Sequence, residues 1–219
     1  MDNIWQDPDI LAVTLLTVQV SGVATLISII LGVPLGLWLA LSDFFGKKFI
    51  VSVVNFGMGL PPVVVGLVVS LMLWRYGPLG MLGIMYTPWA MIIAQAVIAS
   101  PIVAGLSFAA ISSLNPNLRL QLISLGASRR QANLILIREA RLGLLAAVMA
   151  GFGGVVSEVG ASMMVGGNIK GQTRVLTTAT VMEVGKGNYD TALALSFILL
   201  LVAYSIVAAL TYLQNRTAK

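Results

Sequence analysis

Glu158 is an acid set deep in a long apolar run, and a Gly- and Thr-rich stretch with two bases follows it: Val165-Gly166-Gly167-Asn168-Ile169-Lys170-Gly171-Gln172-Thr173-Arg174. The run before it carries Ala147, Ala150, Gly151, Gly154 and Ser157. Their three- and four-residue spacing makes a smooth helix face that another helix can approach closely, whether for ordinary packing, a dimer interface or a pore wall. Glu158 falls on that face. A charged carboxylate at membrane depth costs at least about 2.5 kcal/mol, so it must be paired, protonated or near water. Two roles follow: a structural hydrogen bond to a neighbouring helix, with Gln95 as the candidate partner, or a place on a pathway or gate. Gly166 and Gly167 would end the helix and free backbone N–H groups, which in such turns form anion-binding concavities. Lys170 and Arg174 would add positive charge. Helix capping followed by a solvated loop is the alternative for the same residues.

A second stretch, residues 114–141, is built for contact rather than reaction. It reads LNPNLRLQLISLGASRRQANLILIREAR. Asn115-Pro116 is an N-cap and N1 pair. A short helix from Pro116 to Leu125 would stop at Gly126, the usual residue type for a left-handed C-terminal cap. Ser128-Arg129-Arg130-Gln131 then fits a capping box, in which Ser and Gln each satisfy an orphan backbone donor. The pattern predicts helix, tight turn, helix. Leu118, Leu122 and Leu125 share one face of the first helix, with Arg129 and Arg130 beside them. Such an elbow suits either insertion into a groove on a soluble partner or an interfacial position on anionic lipid.

What the chain lacks narrows the chemistry. Its 219 residues include no cysteine and no histidine. Thiol chemistry, His-based acid–base catalysis and Cys/His metal sites are thereby removed, and no metal site is expected. No clustered acidic residues remain to support a membrane enzyme. No Gly-x-x-x-x-Gly-Lys-Ser/Thr loop occurs, so ATP, if it drives this protein, is bound by another polypeptide.

The elements that carry these stretches are apolar. The chain is 58% hydrophobic and 10% charged, against about 25% charged in soluble domains, and its mean hydropathy is +0.96. Lipid must be most of its solvent. An all-α polytopic membrane protein follows, one domain over residues 1–219, with about five spans at 11–41, 49–74, 88–113, 142–165 and 191–213. The first span holds Gly32, Pro34 and Gly36 and should kink or tilt. The second holds Pro61-Pro62, which removes two backbone donors. That break reads either as a packing kink or as a pathway-lining interruption, tolerated only where it is buried or lines a cavity. Asp2, Asp7 and Asp9 before the first run argue against a cleaved signal peptide, whose leading region is basic.

With the N-terminus outside, the inner segments hold Lys47, Lys48, Arg119, Arg129, Arg130, Arg138, Arg141, Arg216 and Lys219. The outer segments hold Arg75, Lys170, Arg174 and Lys186. Nine of the 13 bases then lie inside, which sets this orientation and puts the C-terminus in the cytoplasm. The net charge of +5 is accounted for by these loops, not by a nucleic-acid partner.

Residues 114–141 resemble the EAA loop of ATP-binding-cassette importer permeases. Leu125-Gly126-Ala127-Ser128 and Gln131-Ala132 stand in the family's order before a span. The chain departs at Leu120-Gln121-Leu122, where Glu-Ala-Ala would stand, and lacks the prolines usual near Arg138 and Leu142. The resemblance implies a type I importer permease fold and a coupling helix, carried by Leu122, Leu125, Gly126, Ala127, Ser128, Arg129, Arg130 and Gln131, that docks on an ATPase subunit. Residues 157–169, continuing through Thr173-Arg174-Val175-Leu176-Thr177-Thr178-Ala179, look like the tungstate branch of the molybdate/tungstate/sulfate permeases.

That likeness implies a homodimer, two ATPase subunits holding ATP and Mg, no cofactor on this chain, and an external oxyanion-binding protein in which selectivity resides. It also implies a prokaryotic inner-membrane location. Pro61, Pro62, Ser157, Glu158, Gly166, Gly167, Asn168, Thr173 and Arg174 are the expected pathway or gate. Molybdate, sulfate or phosphate is the rival cargo. A passive anion channel or membrane scaffold is the rival class, which would need no docking elbow.

Overall fold

The computed structural model describes residues 8–218, and every regular element among them is helical. The chain runs α1 (Pro8–Leu41), α2 (Lys47–Met58), α3 (Pro62–Leu73), a 3-10 turn (Gly80–Leu82), α4 (Pro88–Ser112), α5 (Pro116–Ser124), α6 (Arg129–Glu139), α7 (Arg141–Val156), α8 (Gly160–Gly166), α9 (Leu176–Gly185) and α10 (Tyr189–Ala218).

α4 is apolar on every face, the composition of a helix that must be surrounded. It forms the centre of the bundle: Ala90, Met91, Ala94, Ala99, Val103 and Ala104 are fully buried. Small residues let its neighbours approach. A Cβ at Gly32 of α1 would lie 2.8 Å from the Ser100 carbonyl oxygen, and one at Gly36 would lie 2.5 Å from that of Ala104. The two backbones therefore touch where any larger residue would force them apart. The α1 hydroxyls on this side are buried but spent: Thr25 donates to the Ser21 carbonyl at 2.7 Å and Ser28 to that of Ala24 at 2.8 Å. Bonding back one turn is how a helix carries a hydroxyl through an apolar core.

Among the described residues three helices are each long and apolar enough to cross a membrane: Asp9–Leu41, Pro88–Ser112 and Tyr189–Gln214. The number rises to five if each of two bent pairs counts as one crossing. α2 and α3 meet at 100° across the break at Gly59–Pro61, and α7 and α8 meet at 57° across Ser157–Val159. The first bend follows from chemistry. Pro62 is the first residue of α3 and Pro61 its extended N-cap, so neither can continue α2. α3 and α8, the halves that follow the two breaks, pack on one another: a Cβ at Gly66 would lie 2.6 Å from the Ala161 Cα.

α10 packs against α9 through Leu176, Ala179 and Leu195, with Ile10 and Val13 of α1 beside them. It also meets α7, where Gln214 Nε2 donates to the Leu142 carbonyl at 3.3 Å, and elsewhere it exposes large apolar side chains, including Leu193, Phe197, Leu200, Leu201 and Tyr204. In an apolar solvent such a surface needs no cover.

Candidate functional site

The elbow at 116–139 is set by local hydrogen bonds. Asn115 caps α5 by accepting from the Asn117 amide at 2.9 Å. At the other end, Gly126 has φ +90. Its amide donates to the Ile123 carbonyl at 2.9 Å, and the Ala127 amide donates to that of Leu122 at 3.0 Å. Those two bonds are the Schellman pattern, which closes orphan carbonyls with a left-handed residue at the turn. Ser128 and Gln131 complete the capping box: the Gln131 amide donates to Ser128 Oγ at 3.3 Å, and the Ser128 amide donates to Gln131 Oε1 at 2.8 Å. Leu125 ends up 84% exposed, with Arg129 and Arg130 also exposed and Leu118, Leu122 and Ala127 half-buried. The turn therefore projects an apolar side chain flanked by cations, held by a rigid backbone.

Arg119, whose role the sequence does not reveal, fixes the elbow to the bundle. Its Nη1 donates to the Leu41 carbonyl at 3.3 Å. Leu41 is the last residue of α1, whose free carbonyls favour a cation.

The second cluster lies at the opposite end of α1. Helix α7 stops at Val156, and Ser157 turns its hydroxyl back to the Gly153 carbonyl at 2.7 Å while staying exposed. Glu158 is 9% exposed. Its Oε1 accepts from the Ala161 amide at 2.8 Å, and its carbonyl accepts from Thr177 Oγ1 at 3.0 Å. The carboxylate thus caps the first turn of α8, where a negative group is favoured by the free amides. The expected pairing with Gln95 is not what forms. Gln95 Nε2 donates to Ser162 Oγ at 3.0 Å, because the break turns Glu158 back onto its own chain and presents Ser162 to α4.

Gly166 and Gly167 close α8, with φ +72 at Gly167. Thr173 is fully buried and clasps the loop. It donates to the Gly166 carbonyl at 2.6 Å and accepts from the Ile169 amide at 2.9 Å. The amides of Gly167, Gln172, Thr173 and Arg174 also reach backbone carbonyls. These amides are therefore not free to form the anion-binding concavity the glycines suggested; they hold the loop in shape. Asn168 adopts φ +51. Its carbonyl accepts from Arg174 Nη2 at 3.4 Å.

The loop is anchored at long range by residues that sequence reasoning missed. Thr17 of α1 accepts from the Leu176 amide at 2.9 Å, fixing the start of α9, a helix that the sequence patterning does not predict. Lys170 pairs with Asp9. Lys186 pairs with Glu183 at 2.8 Å, and Asn188 Nδ2 donates to the same carboxylate at 2.8 Å. The Lys186 hydrogen bond, helped by Asn188, holds the Glu183 carboxyl below the usual carboxylate range. Together α1, this loop, α9 and the start of α10 surround a cavity of about 870 Å³ that includes Gln19, Lys170, Arg174, Glu183 and Lys186. Among the described residues Arg174 makes no ion pair, and its Nε is buried without a hydrogen-bond partner. Pro61 is exposed and Pro62 half-buried at the α2–α3 bend, away from this cavity. The elbow, the bend and the loop are thus three separate places.

Residues 32–219 match the family described as the binding-protein-dependent transport system inner membrane component. A tungstate uptake system permease protein, TupB of Peptoclostridium acidaminophilum, is 40% identical over 209 residues, covering 95% of this chain and 92% of that protein. The molybdenum transport system permease protein ModB of Escherichia coli strain K12 is 29% identical over 216 residues, covering 91% and 94%. A chain of the MetNI methionine ABC transporter, solved in inward-facing conformations, superposes with a TM-score of 0.75 at 18% identity, over 93% of this chain and 94% of that one. The fold is that of type I importer permeases.

Proposed function

The chain belongs to the family of binding-protein-dependent transport system inner membrane components, and from that premise we propose that it moves tungstate inward, driven by ATP hydrolysed on a separate subunit. The observation that carries the ATP-coupled reading is the elbow: a capped turn with Leu125 and Gly126 at its tip, tied through Arg119 to the end of α1. A passive channel has no use for such a projection. Two copies of this chain would enclose the pathway, each contributing one elbow to an ATPase subunit, with an external binding protein delivering the anion. In this reading the N-terminus is outside and the C-terminus in the cytoplasm, an orientation the distribution of basic residues supports.

The loop at 166–174 supplies the outer gate in this reading. Arg174 is its anion-facing charge, since Lys170 and Lys186 are each paired with an acid. Ser157 and the α7–α8 break lie on the pathway wall with the Pro61-Pro62 bend. Glu158 supports that wall as a cap and is kept from the anion, which a free carboxylate would repel. Molybdate is the second cargo reading, supported by the molybdenum permease likeness. The greater identity to the tungstate permease supports reading tungstate first.

The test is ATP-dependent uptake of tungstate by vesicles holding this chain with an ATPase subunit and a binding protein, with molybdate and sulfate as competitors. ATP-dependent uptake resisting both competitors is the expected result. Preference for molybdate would replace the cargo and keep the mechanism. Uptake indifferent to ATP would overturn the coupling assignment.

A further inference from the structure

A cavity of about 1100 Å³ opens between the elbow, α7 and the inner half of α1, apart from the outer loop. Its polar lining is Arg138 and Arg141, exposed on either side of the α6–α7 junction at Ala140, together with Gln131. The rest of its lining is apolar, with Leu134, Ile135 and Ile137 from the elbow as well as Val33 from α1 and Leu144 and Val148 from α7. No acidic residue lines it. We propose that this cavity is a binding site for an anionic phospholipid, with the phosphate on Arg138 and Arg141 and an acyl chain against Val33, Leu144 and Val148.

Depth and charge choose this occupant. From Arg141 to Val148 the wall climbs about 10 Å along α7. In the proposed orientation this puts the arginines on the headgroup side of Leu144 and Val148, an order that suits one lipid molecule. Basic pockets between spanning helices on the cytoplasmic side are suited to anionic headgroups. A soluble partner has no reason to reach the apolar end. A second copy of this chain is poorly matched, because Asp43 and Glu139 are the only two of its eight acids in the inner segments, against nine bases. Because Gly126 and Ala127 of the elbow line the same cavity, a bound lipid would brace the elbow from the membrane side. The inference takes from the orientation proposed above only which leaflet supplies the lipid; the binding itself is measurable without a leaflet.

Native mass spectrometry of the purified, delipidated protein in detergent would compare phosphatidylglycerol with phosphatidylcholine of the same acyl chains. The wild type should prefer phosphatidylglycerol, and the Arg138→Gln/Arg141→Gln double variant should lose about 30-fold of that preference, at roughly one favourable charge contact per arginine. Lys47→Gln/Lys48→Gln, equally basic but outside the cavity, should keep it. Val148→Trp, which fills the apolar end, should weaken both lipids alike. An unchanged preference in the arginine double variant would overturn the assignment. So would displacement of the lipid by millimolar inorganic phosphate or tungstate, which would make this a free-oxyanion site, or occupation of the cavity by a second copy in a cross-linked dimer. None of these results depends on which anion is transported.

Discussion

Replacing Gly126 tests the elbow with unusual clarity, because a Cβ built there meets nothing within 4 Å. Any penalty must come from the backbone at φ +90. The left-handed conformation costs an ordinary residue about 1–2 kcal/mol, and a β-branched one sits at the upper end or beyond. Gly126→Val should therefore cost the turn about 2 kcal/mol and Gly126→Ala about 1 kcal/mol, while Asn, which tolerates this region, should cost least. Those penalties lower the equilibrium constant for forming the docking-competent elbow by about 30-fold for Val and about 5-fold for Ala. The apparent affinity for the ATPase subunit falls with the competent fraction, by up to the same factor. The assay is a titration of the permease in vesicles with purified ATPase subunit, read as ATP-dependent uptake. The midpoint should move rightward in the order Gly, Asn, Ala, Val, with the same maximal uptake at saturation. Equal midpoints for Val and Gly would refute the reasoning, and so would an Ala variant weaker than Val.

Thr173→Val, nearly the same shape, leaves the Gly166 carbonyl and the Ile169 amide without their bonds. At about 1–3 kcal/mol for each stranded buried group, it should visibly lower the thermal midpoint of the purified protein, whereas Thr173→Ser should keep it. Glu158→Gln retains an oxygen that can accept from the Ala161 amide and should transport, while Glu158→Ala should lose about 1 kcal/mol of stability; loss of uptake in a well-assembled Gln variant would show that the charge itself is needed. Glu183 is held below its ordinary range by Lys186 and Asn188, so the stability it contributes is present above its unfolded value and is lost as pH falls through its lower folded value. Acid should therefore loosen the α9–α10 corner, seen as faster amide exchange there below the normal carboxylate range, and Glu183→Gln should remove that part of the pH dependence.

The features legible in the sequence were those made by neighbours in the chain. Asn115, Gly126, Ser128 and Gln131 act over two to five residues, so the helix–turn–helix and its capping box could be read from residue order. Prolines 61 and 62 announced a break, but its 100° angle depends on how Gly66 of α3 seats against Ala161 of α8, which no local pattern encodes. Glu158 was recognisable as costly at depth, yet its partner was misassigned: the α7–α8 bend, not composition, decides that Gln95 faces Ser162. The same holds for Thr17 with Leu176 and for Arg119 with Leu41. Each joins positions far apart in sequence, and each looked like an unremarkable hydroxyl or loop cation. Helix α9 went unread because its polar Thr177, Thr178 and Thr180 are satisfied by the loop, α7–α8 and their own helix, which gives it no apolar periodicity.

α1 is 34 residues long, about 50 Å of helix, against a hydrocarbon layer of about 30 Å. Its first turn is tied to the outer loop through Asp9 and Lys170, and its last carbonyl to the elbow through Arg119. A rod longer than the layer it crosses must lean or protrude, and its lean responds to hydrophobic mismatch. With both ends pinned, a change in bilayer thickness is converted into a displacement of the outer loop relative to the elbow. In the proposed reading, the lipid composition of the host membrane would thus be a mechanical input to the two places assigned to cargo and to ATP.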